Sequence, residues 1–287
     1  MAISYSFVNT RHAQALLREI AQFGIEPPEA LTSIIGAHEE LAKVTAARDP
    51  MADLVKAIAA GSLRGDELEK QVDRAADELH RRQFRADLRA HVEPAIVRQF
   101  VNAVDEGGGA DEIIDSLRPA FGTAAAKLIE CAELVDANAD PEVFLASASA
   151  EQIKAWQAID EHVATLTKVS TIASHFGPHS TSFPLLEIPA NVGNLGFINN
   201  NGVMCVDAKY GLDQACRLFQ NHGNHRNSPW FRGASVLRLN TIAEAREKIR
   251  AWAEASWDSL NSSQGRGRIV DGQFIPEPLR NPYAVAQ

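Results

Sequence analysis

The chain has 287 residues, is 45% hydrophobic and 23% charged, and carries a formal net charge of −9. That acidity argues against a general nucleic-acid binder, which needs a broad basic face to displace counterions. Cys131, Cys205 and Cys216 are too few and too scattered for a disulfide framework, and no window reaches the roughly 18–20 apolar residues that cross a bilayer.

The N-terminal residues lack a basic stretch followed by an apolar run, so no signal peptide is expected. A reducing, cytoplasmic setting follows, or a particle assembled there. The charge divides along the chain. Residues 217–287 hold ten Arg/Lys and six Asp/Glu, a net +4, against −13 for the rest.

Residues 1–176 read as an acidic helical body. A first helix from Thr10 carries Ala13, Leu16, Leu17, Ile20 and Phe23 on one face, at spacings of three and four. Gly24 stops it, and Pro27-Pro28 precedes a second helix with Leu31, Ile34, Ile35, His38 and Leu41 on its stripe. Asp49-Pro50 opens a short third helix with Leu54, Val55 and Ile58.

Residues 66–106 form the longest periodic stretch, with Leu68, Val72, Ala75, Leu79, Leu88, Val92, Ile96 and Phe100 recurring at near-helical spacing. Pro94 predicts a kink or break near His91–Glu93. Gly107-Gly108-Gly109 ends the stretch, and a helix pair follows around Ile113–Leu117 and Ala120–Leu134. Asp140-Pro141 has the form of an N-cap with Pro behind it. Ser149 and Gln152 fit a capping box, opening a helix with Ile153, Trp156, Ile159, Val163, Leu166 and Val169 on one stripe. That stripe reads as one helix of a bundle, with a coiled-coil seam as the alternative.

Residues 177–260 change character and predict a small α+β domain. Phe183–Ile188 reads as an edge strand between Pro184 and Pro189. Leu195–Asn199 and Val203–Asp207 flank Asn200-Asn201-Gly202, a hairpin signal. Leu212–Phe219 reads as a helix and Val236–Leu239 as a strand. Thr241 and Glu244 make another capping box ahead of a last helix. Residues 261–287 form an extended, basic, Pro/Gly-containing tail, either disordered or docked on a neighbour. The fold class is therefore mainly α: a multi-helix body, a small α+β module and a tail.

No converging catalytic set stands out, and no catalytic, cofactor-binding or metal-ligating residues are assigned. There is no Gly-x-Ser-x-Gly elbow, no Walker lysine and no Cys-x-x-Cys pair. Trp230 and Phe231 beside Arg232 have the composition of an interface hot spot; packing back onto their own module is the alternative. Phe274, Ile275 and Tyr283 are spaced apolar anchors on the tail. These features suggest a non-enzymatic structural or assembly protein, of the kind found in phage-like particles, acting through protein–protein contacts and self-association. Opposite charges at the two ends favour head-to-tail contact. Two rival readings exist. His175, His179, His222 and His225 could build the site of a metal-dependent hydrolase. Arg226, Arg232, Arg238, Arg266 and Arg268 could serve a nucleic-acid-binding module.

Overall fold

A computed structural model describes residues 9–45, 50–138, 140–189, 195–220, 228–261, 267–270, 273–276 and 281–284. The protein is mainly helical, as the sequence predicts. Helices α1 (Thr10–Gln22), α2 (Glu29–Thr45), α3 (Pro50–Ala59), α4 (Asp66–Val104), α5 (Gly109–Leu134), α6 (Pro141–Ser147) and α7 (Ala150–Ser174) make up the first part.

The α5–α7 pair is the centre of the molecule. α5 buries Ile113, Ile114, Leu117, Phe121 and Leu128, and α7 buries Trp156, Ile159, Leu166, Val169 and Ile172 against them. The α7 stripe is therefore spent on a helix of its own chain, as expected for a bundle. Local signals fix where α6 and α7 begin. Asp140 accepts N–H bonds from Glu142 and Val143, and Ser149 and Gln152 close a capping box.

Of the two interruptions expected, neither breaks its helix. α4 runs through Pro94, and α5 runs through Pro119 as one helix where a helix pair was expected. Packing overrides the local penalty. Near Pro94, the Thr10 hydroxyl donates to Glu93 Oε1 at 3.0 Å, and α2 lies along the same helix. The carbonyl that loses its partner belongs to Ala90, which is exposed. The predicted break between α4 and α5 does occur. Gly108 adopts φ 74°, and a Cβ on Gly107 would lie 2.7 Å from the Ala103 carbonyl oxygen, so the tight turn needs glycine.

The expected α+β module is corrected to a mostly helical one. Asn199 caps α8 (Asn200–Met204) by accepting from Gly202 N at 2.7 Å, where a hairpin turn was expected. Its amide donates to the Cys216 carbonyl at 2.9 Å, which ties α8 to α9 (Leu212–Leu218). An Asn-Asn-Gly run serves an N-cap as readily as a turn; this tertiary bond selects the cap. Ala234–Val236 is a 3-10 turn, and what remains of the predicted sheet is a single bridge, Val206 to Leu237. Phe183–Ile188 is irregular, with Phe183, Leu185 and Leu186 buried.

The last helices are α10 (Pro229–Arg232) and α11 (Ile242–Asn261). Thr241 and Glu244 form the expected capping box, Glu244 N to Thr241 Oγ1 at 3.1 Å and Thr241 N to Glu244 Oε2 at 2.8 Å. Burial opposes ionisation of Glu244, but the Thr241 N–H, Arg118 and Arg238 outweigh it and hold the carboxyl below its usual range.

Apart from Ala75, the buried hydrophobic side chains of the described residues form one connected cluster from Ala13 to Ala253, continuous across position 177. In the tail, β1 (Gly267–Val270) pairs antiparallel with β2 (Gln273–Pro276), where the Pro and Gly residues predicted no regular structure.

Close helix packing yields a first prediction. A Cβ on Gly202 would lie 2.7 Å from Cys216 Cα and 2.8 Å from its backbone nitrogen. Gly202→Ala should force α8 and α9 apart and cost about 3 kcal/mol. A denaturation midpoint equal to the wild type would show that the two helices yield freely.

Candidate interaction surface

The expected interface residues fall in different places. Trp230 is only 5% exposed and Phe231 is buried too. The expectation that they form an exposed hot spot is corrected, and the internal-packing alternative holds. The Trp230 ring lies edge-on to Phe219 at 4.7 Å and to Phe121 at 6.3 Å. Arg232 is exposed beside them. Tyr283 is half-buried against its own chain: its ring meets Trp257 at 6.2 Å and its carbonyl accepts from Arg250 at 3.3 Å. The side chains of Phe274 and Ile275 lie outside the described residues.

The histidines do not gather among the described residues. His175 caps the C-terminus of α7 and its Nε2 is 2.9 Å from Glu19 Oε2. His179 is exposed in the following turn. His222 and His225 lie outside the described residues, within which no group of three His, Cys, Asp or Glu could hold a metal ion. Among the arginines, Arg238 pairs with Glu244 at 2.6 Å, and Arg226, Arg266 and the Arg268 side chain are outside the described residues.

Lys248 is a buried cation that periodicity missed. It is 3% exposed, and its Nζ donates to the Gly202 and Val206 carbonyls, both at 2.9 Å. Asn240, also buried, donates to the Val203 and Val206 carbonyls at 2.8 and 2.7 Å. Burial lowers the Lys248 pKa to about 8, with Cys216, Cys205 and Asp207 pulling the other way. Burial pushes the Cys205 thiol up to about 12. The amine is buried and engaged by two carbonyls, and the cluster clamps the 202–206 segment against α11.

The surface that stands out is the α3–α4 hairpin. α4 is 39 residues long, about 58 Å at 1.5 Å per residue. Its buried residues are Ile96, Phe100, Val101 and Val104 at one end, plus Ala75. Toward the other end α3 packs along α4, and among the described residues of that part only Ala75 is buried. Of the 11 large hydrophobic side chains exposed among the described residues, seven lie between Met51 and Leu88. Phe84 is 68% and Val55 57% exposed. Of the single stripe the sequence suggested for α4, Val72, Leu79 and Leu88 are thus outside the core.

Helix geometry places these residues. At 100° per residue, Leu54 and Ala57 turn toward α4, and Gln71, Ala75 and Glu78 turn toward α3; all five are less exposed than their neighbours. Met51, Val55 and Ile58 lie roughly 90° further round α3. Val72 and Leu79 lie roughly 90° further round α4 in the same sense. The short connection at 60–65 makes the helices antiparallel, so equal rotations bring both sets to one flank. A groove of about 480 Å³ also opens between the two helices, lined by Asp53, Gln71, Arg74 and Glu78 as well as Leu54 and Ala75; by the same geometry it lies on the side opposite the apolar flank. Leu54, Val55 and Ile58 with Met51 span about 100° of arc, the ordinary width of a stripe that meets one core, so their spacing alone could not mark this face as uncovered.

Comparison with protein-family models, with curated proteins and with solved structures finds no match to this chain. No helix among the described residues is long and apolar enough to cross a membrane.

Proposed function

We propose that this is a non-enzymatic assembly or scaffold protein that acts through protein–protein contacts, with the α3–α4 hairpin as its contact surface. The observation that carries this reading is the concentration of exposed apolar side chains on the α3–α4 hairpin. Monomeric proteins scatter such residues singly, and contiguous sets mark interaction sites. The helical body supplies a rigid base, because α4 is anchored through Ile96, Phe100, Val101 and Val104 in the core. The polar clusters support the same reading: Lys248, Asn240 and the Arg118–Glu244 pair hold elements together inside the chain.

Site-specific photo-crosslinking in cells that make the protein tests this. A photoreactive residue at position 55 should give adducts of discrete mass. The same group at Val143, exposed on α6, should give none. Adducts at 55 should disappear when Ile58→Asp is added, with the far-ultraviolet circular dichroism unchanged. Equal labelling at 55 and 143, or no adduct at 55, would remove the hairpin as a contact surface.

A further inference from the structure

The geometry points to a cationic amphipathic helix as the partner that packs on the Met51–Val55–Ile58 and Val72–Leu79 flank. This inference rests on the contact-surface reading above and adds the chemistry of what is bound. An apolar flank of two antiparallel helices is completed by a third helix that lays its own i, i+3, i+4 stripe along them. The residues interspersed on the flank, Ala52, Ala59, Ala76 and Gln83, are uncharged, so nothing on the flank itself demands a charged group at the centre of the contact.

The charge is at the border. Asp66, Glu69, Asp73 and Asp77 follow one another on α4 at spacings of three, four and four, which makes a continuous acidic row. Glu69 and Asp73 lie nearest the apolar flank; Asp66 and Asp77 stand behind them. All four are exposed, and among the described residues none is in an ion pair. Lys70, Arg74 and Arg81 stand three or four residues from Asp66, Asp73 and Asp77, on the side of the row away from the flank, and Glu69 has no cation at such a spacing. A docked helix with Lys or Arg flanking its apolar stripe meets this row with its long side chains. A helix with acidic flanks is repelled by it. A two-fold pairing that sets α4 against α4 places one acidic row beside the other, so the row disfavours that pairing of two copies.

The test uses the full chain and two synthetic 18-residue helical peptides with the same leucine stripe, one with lysine and one with glutamate on the polar face. Binding is followed by fluorescence anisotropy at low and high salt. The lysine peptide should bind at least tenfold more tightly than the glutamate peptide, and the difference should shrink as salt rises. Val55→Asp/Ile58→Asp should abolish its binding even though it makes the protein more acidic, which separates docking from diffuse attraction. Asp73→Lys/Asp77→Lys should narrow the preference between peptides, and Val143→Asp should change nothing. Equal binding of both peptides, or binding that survives Val55→Asp/Ile58→Asp, would overturn the inference. So would self-association that Val55→Asp/Ile58→Asp removes and the lysine peptide does not compete away. If position 55 still crosslinks in cells while the peptides fail, the contact surface stands and only the partner's chemistry falls.

Discussion

Trp230→Ala should destabilise the fold by about 4 kcal/mol, the middle of the range for emptying a buried aromatic site, while leaving crosslinking at the hairpin intact. The ring is buried between Phe219 and Phe121, and it comes from a helix only four residues long. Such a helix has almost no stability of its own. It is held by its ends and by its side chains: the Ser228 hydroxyl accepts from Phe231 N at 3.2 Å, and Trp230 and Phe231 plug into the α5–α7 pair. Removing the indole leaves a cavity that a tethered four-residue helix cannot collapse to fill. The melting temperature should fall by about 8 °C in a chain of this size. Calorimetry checks it, and a variant that melts with the wild type would show that the α10 segment is dispensable to the core. Wild-type stability with lost partner contact would return Trp230 to the surface role that its composition suggested.

Composition alone could not have placed Trp230. A Trp-Phe pair between arginines and asparagines reads the same whether the rings face outward or into a core, because the deciding partner, Phe121, is 109 positions away. What was legible was local. The Asp140, Ser149 and Thr241 caps each act within three residues, and all three formed. The stripes of α1, α2 and α7 were legible for the same reason, since one helix face meets one core.

The hairpin at 195–207 failed because Asn199 satisfies a helix N-terminus and Cys216 at once; the second of those bonds spans 17 residues. The break at Pro94 failed because packing along α4 outweighs one missing hydrogen bond. α4 also shows why the candidate surface was hidden. A periodic apolar pattern shows which face of a helix is apolar and is silent on what covers it. Phe100 and Val72 belong to the same pattern, but only Phe100 has a neighbouring helix over it. The site was readable as a set of apolar positions and unreadable as a surface until the extent of the core was known.

The second large effect concerns Lys248 and pH. Its pKa in the folded protein is about 8 against 10.5 for an ordinary lysine, because burial removes the ammonium from water. Between those two values the unfolded chain holds a proton that the folded chain has released, so stability rises with pH across that window and is lost again as pH falls through 8. The full effect is about 3 kcal/mol. Cys205 acts in the opposite sense. Its thiol is raised from 9.0 to about 12, so above pH 9 the unfolded chain loses a proton that the folded chain retains, and stability falls. Cys131 and Cys216 are raised as well, and the wild-type curve alone therefore mixes the two signs. The comparison that isolates the lysine is wild type against Lys248→Met, in which the thiol contributions cancel to first order. The stability of the wild type relative to that variant should grow by about 2 kcal/mol from pH 7 to pH 9.5, measured by urea denaturation at each pH. A difference that stays flat across that range would mean that the ammonium is as well solvated folded as unfolded. The carbonyls of Gly202 and Val206 would then be stabilising the charge far more than two hydrogen bonds at 2.9 Å normally do.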